Sequence, residues 1–103
     1  MKVKWHTRAR SRWLATGDYI RQHYGIRSQE NFILATAEWV GILKQMPQIG
    51  AMEPLLANRS ISYRSIVINK LSKLIYYIKE DTICIADFWD TRRESKTLTK
   101  DIK

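Results

Sequence analysis

Cysteine is almost missing from this sequence. Cys84 stands alone, which rules out an internal disulfide and a cysteine-built metal cluster. Its place inside a run of strand-forming residues makes it a core position. No apolar run approaches the roughly 20 residues of a membrane span, and Met1 to His6 alternates charge with apolar residues where a leader would need an apolar h-region. A cytoplasmic protein with no membrane partner is expected. Also missing are a Ser/His/Asp set, a Gly-rich phosphate loop and any metal-ligand spacing, so neither a metal nor a cofactor is expected. Acidic residues are outnumbered: 18 Lys plus Arg face 10 Asp plus Glu, a formal charge of +8. That balance favours a polyanion or an acidic protein as partner.

What remains is 103 residues, 45% of them hydrophobic, enough for one core and too few for two. A single domain over 1–103 is expected, with 97–103 as a flexible tail; no repeat, low-complexity tract or internal boundary appears. Val3 and Trp5 alternate with Lys2, Lys4 and His6 as a short strand with one buried face and a lysine-lined edge. Thr7 is placed to cap a helix. On it Ala9, Trp13, Thr16, Ile20 and Tyr24 share one face and Arg8, Arg10, Arg12 and Arg21 the other. Gly25 offers a left-handed stop and Ser28 the next cap. A second helix is predicted from Gln29 to Met46, with Phe32, Ala35, Trp39, Ile42, Leu43 and Met46 as its apolar stripe, ended by Pro47. The four residues Gly25 to Ser28 leave room only for an antiparallel hairpin of helices.

Gln48 to Arg59, with Gly50, Pro54 and Asn58, shows no sustained period and reads as a loop anchored by Met52, Leu55 and Leu56. Beyond it Ile61–Asn69, Lys73–Lys79 and Thr82–Trp89 are rich in Ile, Val, Tyr, Phe and Trp and are separated by hairpin-length breaks. They form a three-strand antiparallel meander. Leu74 to Ile78 is apolar at every position, as a strand buried on both faces requires, so this run belongs mid-sheet. The predicted class is α+β: an N-terminal strand, a helical hairpin packed on one face of a small, mainly antiparallel sheet, and the meander.

Several signatures in this order resemble the RelE/ParE superfamily of type II toxin–antitoxin toxins. They are Val3-Lys4-Trp5 opening into an Arg-rich helix, Met46-Pro47 followed by Gly50, Tyr63-Arg64-Ser65-Ile66, Lys73-Leu74-Ile75-Tyr76-Tyr77, and Trp89-Asp90-Thr91-Arg92-Arg93. The resemblance covers nearly the whole chain. It implies a growth-inhibiting toxin that a cognate antitoxin neutralises, and it leaves two targets open, DNA gyrase and messenger RNA in the ribosome.

Metal-independent RNA cleavage needs a base for the 2′-hydroxyl, an acid for the leaving oxygen and cations for the phosphorane. For a nuclease, the resemblance implies Glu53, Arg64, Lys73 and Arg92 as the catalytic set, with Glu53 in the base position and Lys73 and Arg64 otherwise free to pair with Asp87 or Asp90. Where the nuclease pattern places His or Tyr, this chain has Asp90, Thr91 and Arg92. His6 and His23 are remote in sequence and read as surface or capping residues. The thin acid–base set favours a ParE-like action on gyrase. Trp89, Arg92, Arg93 and Lys96 would then form the target- or nucleic-acid-contacting patch. A ribosome-dependent endonuclease is the alternative, and a non-toxic basic nucleic-acid-binding module a further one.

Overall fold

The computed structural model of the chain describes residues 1–70 and 72–90. Arg92, Arg93, Lys96 and the expected tail lie outside the described residues. In chain order the elements are β1 (Lys2–Trp5), α1 (Thr7–Tyr24), α2 (Ile26–Gln45), β2 (Ala51–Met52), a 3-10 turn (Pro54–Leu56), β3 (Arg64–Asn69), β4 (Ser72–Lys79) and β5 (Thr82–Asp90). The strands form one sheet in the order β1-β5-β4-β3-β2, with β1 parallel to β5 and the other pairs antiparallel. The α+β class, the helical hairpin and the three-strand meander match the sequence expectation, and β4 is the central strand. Leu74, Ile75 and Tyr76 are all fully buried, so both faces of β4 are covered, as its unbroken apolar run requires.

The helices cover one face. Phe32, Leu43, Ile66, Leu74, Tyr76, Ile83, Ile85 and Phe88 make the larger core there, with Val3, Trp5 and Trp13 packed against it. The hairpin is antiparallel because its contacts run backwards in sequence. Trp13 stacks on Phe32 with centroids 5.9 Å apart and donates its Nε1–H to Thr36 Oγ1 at 3.0 Å, while Gly17 meets Gln29 and Phe32. Leu56, Tyr63, Ile75, Ala86 and Trp89 form a second, smaller core on the opposite face. It is roofed by the 3-10 turn and the segment leading into β3.

Several local expectations need correcting. The helices are joined by Gly25 alone, at φ 96° and ψ 171°, a conformation open in practice only to glycine. Ser28 therefore lies inside α2, and its hydroxyl donates to the Tyr24 carbonyl at 3.2 Å. Thr7 is the first residue of α1, preceded by His6, which makes no side-chain cap. The loop expected over Gln48–Arg59 contributes a fifth strand, β2, and of its expected anchors only Leu56 is buried. Ile42 and Met46, assigned to the core stripe, are exposed. Ile61 to Tyr63 stay out of the sheet, and β3 starts at Arg64.

Candidate functional site

Strand pairing decides which side chains meet. Residues directly opposite in an antiparallel pair share a face, and neighbours along a strand do not. Arg64 pairs with Tyr76 and Ile66 with Leu74, which puts Arg64 on the helix-covered face. Ser65 pairs with Ile75 and Val67 with Lys73, which puts Lys73 on the other. Two residues expected to share one catalytic surface are thus separated by the sheet.

Lys73 instead meets Glu53. Glu53 sits before Pro54 in an extended conformation, so its carboxylate folds over the 3-10 turn and Oε2 accepts the Leu55 N–H at 3.0 Å. Oε1 accepts from Lys73 Nζ at 2.5 Å. Glu53 is only 1% exposed, where a loop carboxylate would ordinarily be solvated. Burial pushes its carboxyl up, but the hydrogen bonds from Lys73, Leu55 and Ser65, with the charge of Lys73, outweigh that and hold it below the ordinary value. It is ionised at neutral pH with its lone pairs engaged, which suits a brace better than a base.

The brace continues through the sheet. Lys73 Nζ lies 5.8 Å from the centroid of the Trp89 ring. Trp89 Nε1–H donates to Asp87 Oδ2 at 3.0 Å, the Phe88 N–H donates to Asp87 Oδ1 at 2.8 Å, and Arg12 Nη1 spans both oxygens at 3.0 and 2.8 Å. A bulge makes this possible. Ile75 pairs with Asp87 but Tyr76 with Ile85, so Ala86 is the extra residue and Asp87 is re-aimed. Arg12, expected on the outer face of α1, is therefore bound to β5, and Asp87, expected as a partner for Arg64 or Lys73, belongs to Arg12. Trp89, expected at an exposed patch, is fully buried; its indole is part of the second core.

Arg64 is also committed. Its Nη1 donates to the carbonyls of Gly50 and Gln48 at 2.7 and 3.2 Å. Tyr76 supports the same loop: its hydroxyl donates to the Pro47 carbonyl at 2.8 Å and accepts the Gly50 N–H at 3.0 Å. A Cβ at Gly50 would stand 2.6 Å from that hydroxyl oxygen, so only glycine fits.

One acid–base pair was invisible in the sequence. His6 Nε2 lies 3.3 Å from the Tyr77 hydroxyl, ring edge to ring face, and Tyr77 packs against Tyr63 in the same way. Burial, then Cys84 and Tyr63 beside it, push the Tyr77 phenol up, so it stays protonated. The pair forms because β1 lies alongside β5: Lys4 faces Cys84, and Cys84 faces Tyr77 across the next ladder. No spacing in the sequence signals a contact between residues 6 and 77.

No family model matches the chain, and no curated protein matches it in sequence. Its structure is similar to solved toxin–antitoxin structures. A chain of the chromosomal ParDE TA system from P. aeruginosa aligns with a TM-score of 0.71 at 19% identity, over 89% of this chain and 97% of that one. The YoeB dimer from Staphylococcus aureus gives 0.60 at 20% identity, over 86% and 94%. Two helices on a mixed five-stranded sheet are thus the RelE/ParE-like fold, the fold that the sequence resemblance implied.

Proposed function

We propose that the chain is the toxin of a type II toxin–antitoxin module, held inactive by a cognate antitoxin, and that it arrests growth by a ParE-like action on DNA gyrase. The observation that carries this reading is the fate of the expected nuclease groups. Glu53 and Lys73 neutralise each other, Arg64 lies on the opposite face and is bound to loop carbonyls, and among the described residues no other carboxylate stands beside them. A residue set locked into a brace serves contact with a protein target better than proton transfer. Exposed Leu14, Ile26, Ile33 and Leu34 on the hairpin give an antitoxin apolar surface to cover.

Ribosome-dependent cleavage of messenger RNA is the second reading, and the His6–Tyr77 contact favours it, because an imidazole beside a phenol that burial keeps protonated brings a base and an acid together. The test is induced expression without antitoxin, following labelled thymidine and labelled amino acid over the first minutes. Thymidine incorporation failing first supports the gyrase reading. If protein synthesis fails first and His6→Ala restores it, the chain is a nuclease. Unimpaired growth would sink both.

A further inference from the structure

The two helices are joined by one residue, and the hydrogen-bond ladder is helical on both sides of it. The Gly25 N–H donates to the Arg21 carbonyl at 3.0 Å, closing α1, and the Gly25 carbonyl accepts from the Gln29 N–H at 3.3 Å, opening α2. Only the Gly25 dihedrals, φ 96° and ψ 171°, interrupt the helix. No proline stands between Thr7 and Gln45, and Gly17 and Gly41 already take helical backbone inside α1 and α2. Turning Gly25 into the helical region would therefore join α1 and α2 into one continuous helix about 60 Å long. The last carbonyls of α1 and the first N–H groups of α2, which have no backbone partner within their own helices, would then bond to each other.

We propose that this chain exchanges β1 and α1 with a second copy of itself, forming a domain-swapped dimer in which Gly25 is helical. What holds β1 and α1 to the rest of the chain can form between copies without change: the β1–β5 ladder, the Arg12–Asp87 pair, the His6–Tyr77 contact and the contacts of Trp13 with Phe32 and Thr36. Because the hairpin is antiparallel, α1 of one copy lies along α2 of the other, and the two sheets sit at opposite ends of a pair of long helices. A hinge this short invites the exchange, since opening adds the helical bonds across Gly25 and keeps those contacts.

The surface around the hinge supplies the remaining interface. Tyr24 and Ile26 flank Gly25 and are 61% and 56% exposed in the single chain, and a Cβ at Gly25 would meet no atom within 4 Å. In the dimer the two hinges meet at the two-fold axis, where these apolar side chains face their counterparts. Charge opposes the exchange. Each copy carries a formal +8, and Arg21, His23 and Arg27 stand near the axis, so salt should favour the dimer. The swap makes each site composite, with His6 and Arg12 of one copy set against Tyr77 and Asp87 of the other. None of this depends on the target proposed above.

The test is refolding of the whole chain from urea at micromolar and at near-millimolar concentration, in low and in high salt, read by light scattering after size exclusion. A dimer that grows with concentration and with salt is expected. Gly25→Ala, which strains the closed turn and suits a helix, should lower the dimer dissociation constant about tenfold or more. Three glycines inserted after Gly25 slacken the hinge and should leave a folded monomer. Isotope-filtered NMR on a dimer of labelled and unlabelled chains separates a swap from a side-by-side pair, because the Trp13–Phe32 contact runs between chains in the first and within a chain in the second. Wild type that stays monomeric at every concentration, an insertion variant that dimerises as well as wild type, or a dimer with no Trp13–Phe32 signal between chains would overturn the exchange. The wild-type and insertion arms decide it even where Gly25→Ala fails to fold.

Discussion

Replacing Lys73 with methionine asks whether the Glu53–Lys73 pair holds the fold or performs chemistry. The substitution keeps the aliphatic stem over Trp89 and removes the charge, leaving the Glu53 carboxylate buried with only Leu55 and Ser65 as donors. Breaking a buried pair by removing one partner destabilises by about 3–5 kcal/mol. The Lys73 side chain keeps 22% of its exposure, and the residual donors soften the loss, so about 2–3 kcal/mol at pH 7 is expected. For a chain of this length that is a fall of about 10–20 °C in Tm. The pH dependence fixes the cause. In the native protein the Glu53 carboxyl lies below its ordinary value of 4.5, so its contribution is present above that value and lost as pH falls through the depressed one. In Lys73→Met burial acts largely unopposed, the carboxyl rises, and the variant takes up a proton on folding. The gap between the two proteins should therefore be widest at neutral pH, narrow as the pH falls toward 4, and close only as the pH passes through the depressed native value. Thermal and urea unfolding across that range measure it. A gap below about 0.5 kcal/mol at pH 7, or one that stays constant to pH 4, would refute the brace. Retained stability with lost toxicity would instead return Lys73 to a catalytic role.

Asp87→Asn removes the charge that Arg12 spans and should destabilise by about 2–4 kcal/mol, discounted for the 25% exposure of the arginine side chain; Trp89 fluorescence should shift with it, and unchanged emission would count against the linkage. Gly50→Ala forces Tyr76 aside and should lower Tm by about as much as Tyr76→Phe, with the double variant little worse than either single one. Gly25→Ala meets no neighbouring atom, so its whole effect is backbone strain, about 1–3 kcal/mol by denaturant midpoint.

Much of the fold was legible because local patterns carried it. The apolar run in β4 needs two covered faces, and the two helix stripes meet through Trp13 and Phe32. The limits of the helices were less legible: Thr7 and Ser28 are good caps by type, but the strained Gly25 turn let α2 begin at Ile26. The parallel pairing of β1 with β5 left no local trace, and the His6–Tyr77 contact depends on it. Trp89 was not legible as a core residue because the charged run that follows it has the composition of an exposed segment. Two adjacent large aromatics on one strand require cores on both faces, and the second core is where Trp89 lies. Glu53 looked solvated since a lone loop carboxylate gives no hint of a lysine 20 residues later. Of the expected site residues, sequence order alone could not say that Arg64 and Lys73 face opposite ways; that follows only from the ladder register.

The pairing of β1 sets a sequence in time as well as in space. Among the described residues its one strand neighbour is β5, so a growing chain that has already produced both helices, β3 and β4 still has no strand for β1 to pair with. Val3 and Trp5 must wait for Ile83 and Ile85, and the loop closed in that step is nearly the length of the described chain. The β1–β5 ladder therefore closes only after β5 has been made, and a cut that removes either strand leaves the other without this pairing.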